Sequence, residues 1–347
     1  MGVGVSLSPL ASAVARHGGL GIVSSACLDR LLTKRTGKKF GTYDAAYEEV
    51  SLAKAAGGFA GINIMRALVH DYDDSVRGAL DAGADAIISG AGLPLNLPAI
   101  QSSGDTALIP IVSSVRALDI ICKKWEKLSY RPDAIVLEGP LAGGHLGFKM
   151  DQINLECNTL ENLLPPIKDM AKKFGDFPVI VAGGIYTYED IVKFMNMGAD
   201  GVQMGTRFLV TTESNASEAY KQAVINAREE DIIVAHDPGS PCGLPFRVIR
   251  HSPMYVSALK RMRQPKCDKG YVLLKDSTGN FTICPAKASN EHHFCICNGL
   301  LSSAGYNPDK EESLYTVGTN ASRVDKIVSV ESLFKELTGD DDRRSEG

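Results

Sequence analysis

No stretch of this sequence approaches the ~20 consecutive apolar residues that a membrane-spanning helix needs, and no charged-then-apolar leader opens it. Eight cysteines in 347 residues are too sparse for a disulfide scaffold, so reduced thiols are the expectation. A broad basic field is missing too. The formal charge is 37 − 41 = −4, which argues against nucleic acid or an anionic membrane surface as partner. These absences point to a cytoplasmic protein. One local exception is the cluster Arg250, Lys260, Arg261, Arg263, Lys266, Lys269 and Lys275. It reads as a solvated face, or as a dock for an acidic partner or phosphate.

What is present is the composition of an ordinary globular enzyme, 44% apolar and 22% charged. Its length suits one barrel of ~250 residues plus an appendage. Short apolar runs alternate with helical patterns up to about Arg207. The runs are Leu20–Ser25, Ala60–Met65, Ala86–Gly90, Ala107–Ser114, Ala134–Gly139, Pro178–Gly184 and Gly201–Phe208. Each is nearly continuous in Ala, Val, Ile or Leu, as strands covered on both faces must be. Between them Ser8–His17, Tyr43–Ala56, Asp74–Ala82, Val115–Lys127 and Tyr188–Met197 have helical spacing. Such alternation predicts βαβ units on a parallel sheet.

An internal echo supports a repeating architecture. Leu80-Asp-Ala-Gly-Ala-Asp-Ala-Ile-Ile-Ser-Gly90 resembles Met195-Asn-Met-Gly-Ala-Asp-Gly-Val-Gln-Met-Gly205. In each, a helix ends at a glycine suited to the left-handed cap, and a strand begins about three residues later. A closed barrel has eight strands, whereas seven runs are visible. The opening Met1-Gly-Val-Gly-Val-Ser is a turn of the kind that follows a strand. The expected fold is therefore a (β/α)8 TIM barrel whose first strand is missing at the N-terminus, with an open doubly wound sheet as the rival. Glu213–Glu229 and Val328–Leu337 read as further helices, and Asp237–Pro245 as a turn-rich loop. Residues from about 265 to 320 read as irregular. The expected division is a barrel over 1–235, a C-terminal lid or extension over 236–338, and a disordered tail over 339–347.

Barrel enzymes build their sites at strand C-termini, often with a phosphate site after the last two strands. Here those positions read Ala182-Gly183-Gly184-Ile185 and Gln203-Met204-Gly205-Thr206-Arg207. Their glycines admit a phosphate close to backbone N–H groups, and Thr206 adds a hydroxyl. An earlier strand ends Glu138-Gly-Pro-Leu-Ala-Gly-Gly-His-Leu-Gly147. Its single histidine, His145, is the candidate catalytic acid or base. Asn63 is an amide inside an apolar strand, which either satisfies backbone or binds a ligand. Ser89 and Ser113 also fall near strand ends. Cys267, Cys284, Cys295 and Cys297 lie near His292 and His293, but no Cys-X2-Cys pair appears. Reduced thiols are the plain reading and a metal site the alternative.

At these motifs the chain resembles the nitronate monooxygenase (2-nitropropane dioxygenase) family, which is related to the flavin-dependent enoyl-ACP reductases. The matches are Gly61–Met65, Ser89–Pro94, Ala142–Gly147, Ala182–Ile185 and Gln203–Phe208, with a weaker one near Ser240–Ile249. The family's opening motif ends in Gly-Gly-Met, and the present sequence begins at that Met. The resemblance implies FMN in the barrel mouth, with its phosphate on Gly183, Gly184, Gly205 and Thr206. Asn63, Met1 and Gly2 would lie near the flavin ring, and Ser113, Gly144, Gln203 and Met204 complete the expected cofactor-binding set. His145 matches the family's catalytic histidine. The implied reaction is oxidation of alkyl nitronates with O2. The alternatives are an NAD(P)H-dependent enoyl-ACP reductase, docking acyl carrier protein through the basic stretch, or a flavin-binding barrel without turnover. A homodimer and a segment like Thr319–Val328 covering the mouth or joining subunits are also compatible with it.

Overall fold

The computed structural model describes residues 2–260, 284, 286, 294–306, 309 and 311–340. In chain order the described strands are β1 (Leu20–Ser24), β2 (Phe59–Met65), β3 (Ala86–Gly90), β4 (Ala107–Val112) and β5 (Ile135–Glu138). They continue as β6 (Gly144–His145), β7 (Val179–Ala182), β8 (Gly201–Gln203), β9 (Ile232–Ala235) and β10 (Phe246–Ile249). The first helices are α1 (Ser8–Arg16), α2 (Leu28–Thr36), α3 (Thr42–Lys54), α4 (Tyr72–Asp81), α5 (Val115–Glu126) and α6 (Leu160–Lys173). After them come α7 (Tyr188–Asn196), α8 (Thr206–Leu209), α9 (Glu218–Ile225), α10 (Pro253–Leu259), α11 (Ile296–Ser303) and α12 (Val330–Leu337).

Seven strands form a curled, TIM-barrel-like parallel sheet in the order β1-β2-β3-β4-β5-β7-β8. All seven coincide with the apolar runs. The spatial order follows the chain order without reversal, whereas a doubly wound sheet reverses at a switch point; the rival fold is excluded. β1 and β8 are the sheet's edges.

Register is set at the base of the strands by a repeated carboxylate clamp. Asp85, just before β3, accepts the Ala60 N–H at 2.7 Å while its own N–H bonds the Ala60 carbonyl at 2.9 Å. Asp200, before β8, does the same to Val179, at 2.8 Å and 2.8 Å. Lys54 on α3 and Lys168 on α6 complete the two clamps as ion pairs of 2.7 and 2.6 Å. The echo in the sequence is thus a repeated structural unit, and Gly83 and Gly198 take the expected left-handed φ of 71° and 96°.

Helices pack tightly on the outer face of the sheet. Trp125 of α5 is fully buried and donates its indole N–H to the Pro94 carbonyl at 3.0 Å. Within the barrel a smaller apolar layer contains Ile88, Ile109, Val136 and Ala182. Among the described residues no helix is long and apolar enough to cross a membrane.

Local readings differ in several places, α2 and α10 among the helices that no expected segment covered. The helix expected over Glu213–Glu229 shrinks to α9, because Ser217 caps it by accepting the Tyr220 N–H, while Asn215 N–H bonds the Val5 carbonyl. Helix α6 escaped notice because Pro165 and Pro166 lie inside it. The hairpin of β9 and β10 is too short to show a periodicity. Within the stretch expected to be irregular, Ile296–Ser303 is helical. The expected tail falls outside the described residues from 341 onward.

Gly21 is where α1 meets β1, since a Cβ there would lie 1.9 Å from the Ala11 carbonyl oxygen. Gly21→Ala should therefore destabilise the fold by about 3 kcal/mol, the upper range for overpacking. Denaturant unfolding checks this, and an unchanged midpoint would contradict the packing.

Candidate active site

Because every barrel strand runs the same way, their C-terminal ends share one rim. Ser24 pairs in register with Asn63, and Glu138 with Ala182 and Ala182 with Gln203. These residues line a cavity of about 810 Å³, a size typical of cofactor and substrate sites. Gly2, Ser113, Gly144, His145, Gly183, Gly184, Met204, Gly205 and Thr206 line the same space. The expected site residues are thus brought together, apart from Met1, which lies outside the described residues. Ser89 is placed elsewhere. It is buried, bonds the Tyr72 hydroxyl at 2.7 Å and donates to the Ile64 carbonyl at 3.2 Å.

His145 does not sit on a free loop. Gly144 and His145 pair antiparallel with Arg247 and Phe246 of β10, which also pairs with β9. This small sheet carries the imidazole to the cavity and packs it edge-on against Phe246 at 4.7 Å. Nε2 lies 2.8 Å from Ser240 Oγ. Ser240 is in turn 3.1 Å from Cys242 Sγ and accepts the Cys242 N–H at 3.4 Å. Burial lowers the His145 pKa to about 4, so the ring is neutral near pH 7. The same burial holds the Glu138 carboxyl well above the usual carboxylate range.

Glycine is required where the turns crowd together. Gly183 and Gly184 have φ of 95° and 86°, and a Cβ on Gly183 would lie 2.9 Å from the Ala142 nitrogen. A Cβ on Gly143 would meet the Val317 carbonyl carbon at 2.5 Å. The backbone N–H groups of Gly184, Ile185, Gly205 and Thr206 donate to no acceptor among the described residues. Ser24 Oγ is buried without a partner there. The Asn63 side chain, 9% exposed, forms no hydrogen bond with a described residue either. Buried polar groups are almost always satisfied, so this set suits a polar ligand with several acceptors and donors.

Segments far along the chain finish the walls. Gly318 N–H donates to Thr206 Oγ1 at 2.9 Å, so that hydroxyl keeps its own proton and one lone pair for a ligand. Thr319 N–H reaches the Leu141 carbonyl at 3.1 Å, and Asn320 Nδ2 donates to the Gly184 carbonyl at 2.6 Å. Of the segment Thr319–Val328, its start at Thr319 and Asn320 therefore borders the cavity, beside Gly318. Arg247, 4% exposed, donates to the carbonyls of Pro140 and Ala142 and braces the loop before His145. Burial lowers its pKa to about 10.

Sequence reasoning missed Ser24, Glu138, Ser240, Arg247 and Asn320. Glu138 carried a readable signal, a carboxylate ending an apolar strand; the others were ordinary polar residues in strands and loops. Cys284, Cys295 and Cys297 line the cavity, while Cys267, His292 and His293 lie outside the described residues. Among the described residues no three His, Cys, Asp or Glu side chains gather into a metal-holding group. Most of the basic cluster, from Arg261 on, also lies outside them.

A probable nitronate monooxygenase of Staphylococcus aureus (strain JH9) is 43% identical over 103 residues. That match spans 29% of this chain and 28% of the relative's own length. FabK from Thermotoga maritima superposes with a TM-score of 0.67 at 24% identity, covering 99% of this chain and 91% of that one. Nitroalkane oxidase from Streptomyces ansochromogenes also gives a TM-score of 0.67, at 19% identity, covering 100% of this chain and 96% of that one. Both likenesses support the fold. The nitronate monooxygenase family model matches residues 1–340, nearly the whole length, and the chain belongs to that family.

Proposed function

We propose that this oxidoreductase is FMN-dependent and oxidises alkyl nitronates with O2. The observation that carries the reading is one cavity holding both a neutral, hydrogen-bonded His145 and a set of unsatisfied amides. In this reading residues 1–235 form the flavin-binding body and residues 236–338 supply its lid. The N–H groups of Gly184, Ile185, Gly205 and Thr206 hold the FMN phosphate. Asn63, Ser24, Gln203, Ser113 and the backbone at Gly2, Gly144 and Met204 face the rest of the cofactor, and Gly183 lets the chain turn beneath the phosphate. FMN supplies the electron transfer between substrate and O2, while the protein contributes position and electrostatics.

The side chains define what happens to the substrate. A neutral imidazole offers one N–H and one lone pair. With Nε2 facing Ser240, the other ring nitrogen serves the substrate. It donates to a nitronate oxygen or accepts a proton from the carbon beside a nitro group. Ser240 and Phe246 hold the ring in orientation for either act. The raised pKa of Glu138 limits the negative charge that an anionic substrate meets.

Anaerobic mixing of FMN-loaded protein with propyl-2-nitronate should bleach the flavin absorbance, and NADH or NADPH should not. Rapid bleaching by a nicotinamide alone would transfer the protein to the enoyl reductase class. A protein that retains no flavin would end the flavin reading.

His145→Ala should keep FMN bound and lower turnover at least ~100-fold, the scale of general acid–base catalysis. Full activity would remove His145 from the mechanism.

In cofactor-free protein the His145 ring should show no titration by NMR from pH 5.5 to 8, and a midpoint near about 4. Its folded pKa lies below the unfolded value of about 6.5, so between those values the unfolded chain binds more protons. This group therefore weakens the fold as pH falls through that window and adds nothing further below it. A midpoint near 6.5 would contradict the burial.

A further inference from the structure

The two glycine turns assigned above to phosphate follow adjacent strands, β7 and β8, whose paired register ends at Ala182 and Gln203. Beyond that ladder, a single arginine and the chain's C-terminal segment tie the turns together. Arg207 follows directly on Gly205 and Thr206. Its Nη1 donates to the carbonyl of Tyr186 at 2.8 Å, just past Gly183, Gly184 and Ile185, so one guanidinium spans both turns. The same guanidinium lies 4.2 Å from the centre of the Tyr186 ring. Glu336 of α12 grips its two nitrogens at 2.9 and 2.6 Å.

Arg323 also packs on the Tyr186 ring, 4.1 Å from the ring centre. The Tyr186 hydroxyl donates to the Arg323 carbonyl at 2.6 Å, and Asp190 lies 3.8 Å from the Arg323 guanidinium. From the same segment, Asn320 Nδ2 ties down the Gly184 carbonyl at 2.6 Å, and Gly318 N–H ties down Thr206 Oγ1 at 2.9 Å. Residues 318–336 thus touch each turn independently, and Arg207 joins turn to turn.

We propose that Arg207, clamped by Glu336, and Asn320 are positioning residues that hold the two glycine turns at the spacing a phosphomonoester requires. The site then selects a phosphorylated flavin over its unphosphorylated nucleoside. Neither side chain needs to touch the phosphate. Arg207 is already committed to a carbonyl and a carboxylate, and Asn320 to a carbonyl. Their role is to pre-order backbone N–H donors, which spares the ligand the cost of ordering them. The inference rests on the FMN reading of the cavity.

Arg207→Lys is the discriminating substitution, because it keeps the positive charge while losing the planar fork that reaches both partners. Asn320→Ala tests the other turn, and does so even if the lysine variant fails to fold. The readout is equilibrium binding of FMN and of riboflavin to cofactor-free protein by quenching of flavin fluorescence, with thermal unfolding alongside. Each variant is expected to bind FMN about tenfold more weakly, the scale of one lost hydrogen bond to a charged group. Riboflavin affinity should stay unchanged, because riboflavin makes no use of the turns. Unchanged FMN affinity in both variants would overturn the proposal. So would a parallel loss for FMN and riboflavin, which would mark the segment as a general stabiliser. Wild-type protein that binds neither flavin would instead overturn the FMN reading itself.

Discussion

The organisation of this molecule depends on parallel registration of its barrel strands, fixed at their N-terminal ends. Asp85 and Asp200 each take hold of both backbone groups of a residue at the base of the neighbouring strand, the carboxylate accepting its N–H and the aspartate's own N–H donating to its carbonyl. A one-residue slip would break such a clamp and turn every inward side chain outward. With the bases fixed, the opposite ends share a rim, and Ser24, Asn63, Glu138 and Gln203 come to face one cavity. The site thus inherits its geometry from interactions at the far end of the barrel.

The rim alone does not make the histidine useful. His145 reaches the cavity because its segment leaves the barrel and joins a second sheet, where β10 sets its height and Phe246 its tilt. Arg247, on the same strand, braces the loop that delivers it. Burial lowers the affinity of the ring for a proton, so the imidazole is held as a neutral donor and acceptor across the physiological range. The charged form would have to pay desolvation without a carboxylate partner in the described surroundings.

The C-terminal segment closes the structure on itself. After leaving the region of α11 the chain passes the cavity at Gly318–Asn320, and α12 then packs against Leu10 and Ala13 of α1 and, through Phe334, against Phe208 of α8. Its ion pair with Arg207 is half-exposed at the glutamate and buried at the arginine. The Tyr186 ring, in contact with the guanidinium groups of Arg207 and Arg323, adds apolar and cation–π contact. A residue far along the chain therefore shapes a turn made more than 120 positions earlier.

Much of the barrel was legible in the sequence. Strands covered on both faces must be continuously apolar, which marks each one independently of its partners, and helix ends need glycine at left-handed positions such as Gly83 and Gly198. The glycine turns and His145 were legible too, because strand ends in a parallel sheet are where such residues have room to act. The sequence by itself therefore determined the parallel repeat, the rim and the histidine that reaches it. Only the tertiary structure decided what surrounds that group. Ser240 meets His145 across 95 positions, and Asn320 meets Gly184 across 136. No local period encodes such a pairing. The energy of a hydrogen bond depends on where two atoms end up, and a serine or asparagine in a loop looks the same whether or not folding brings it a partner.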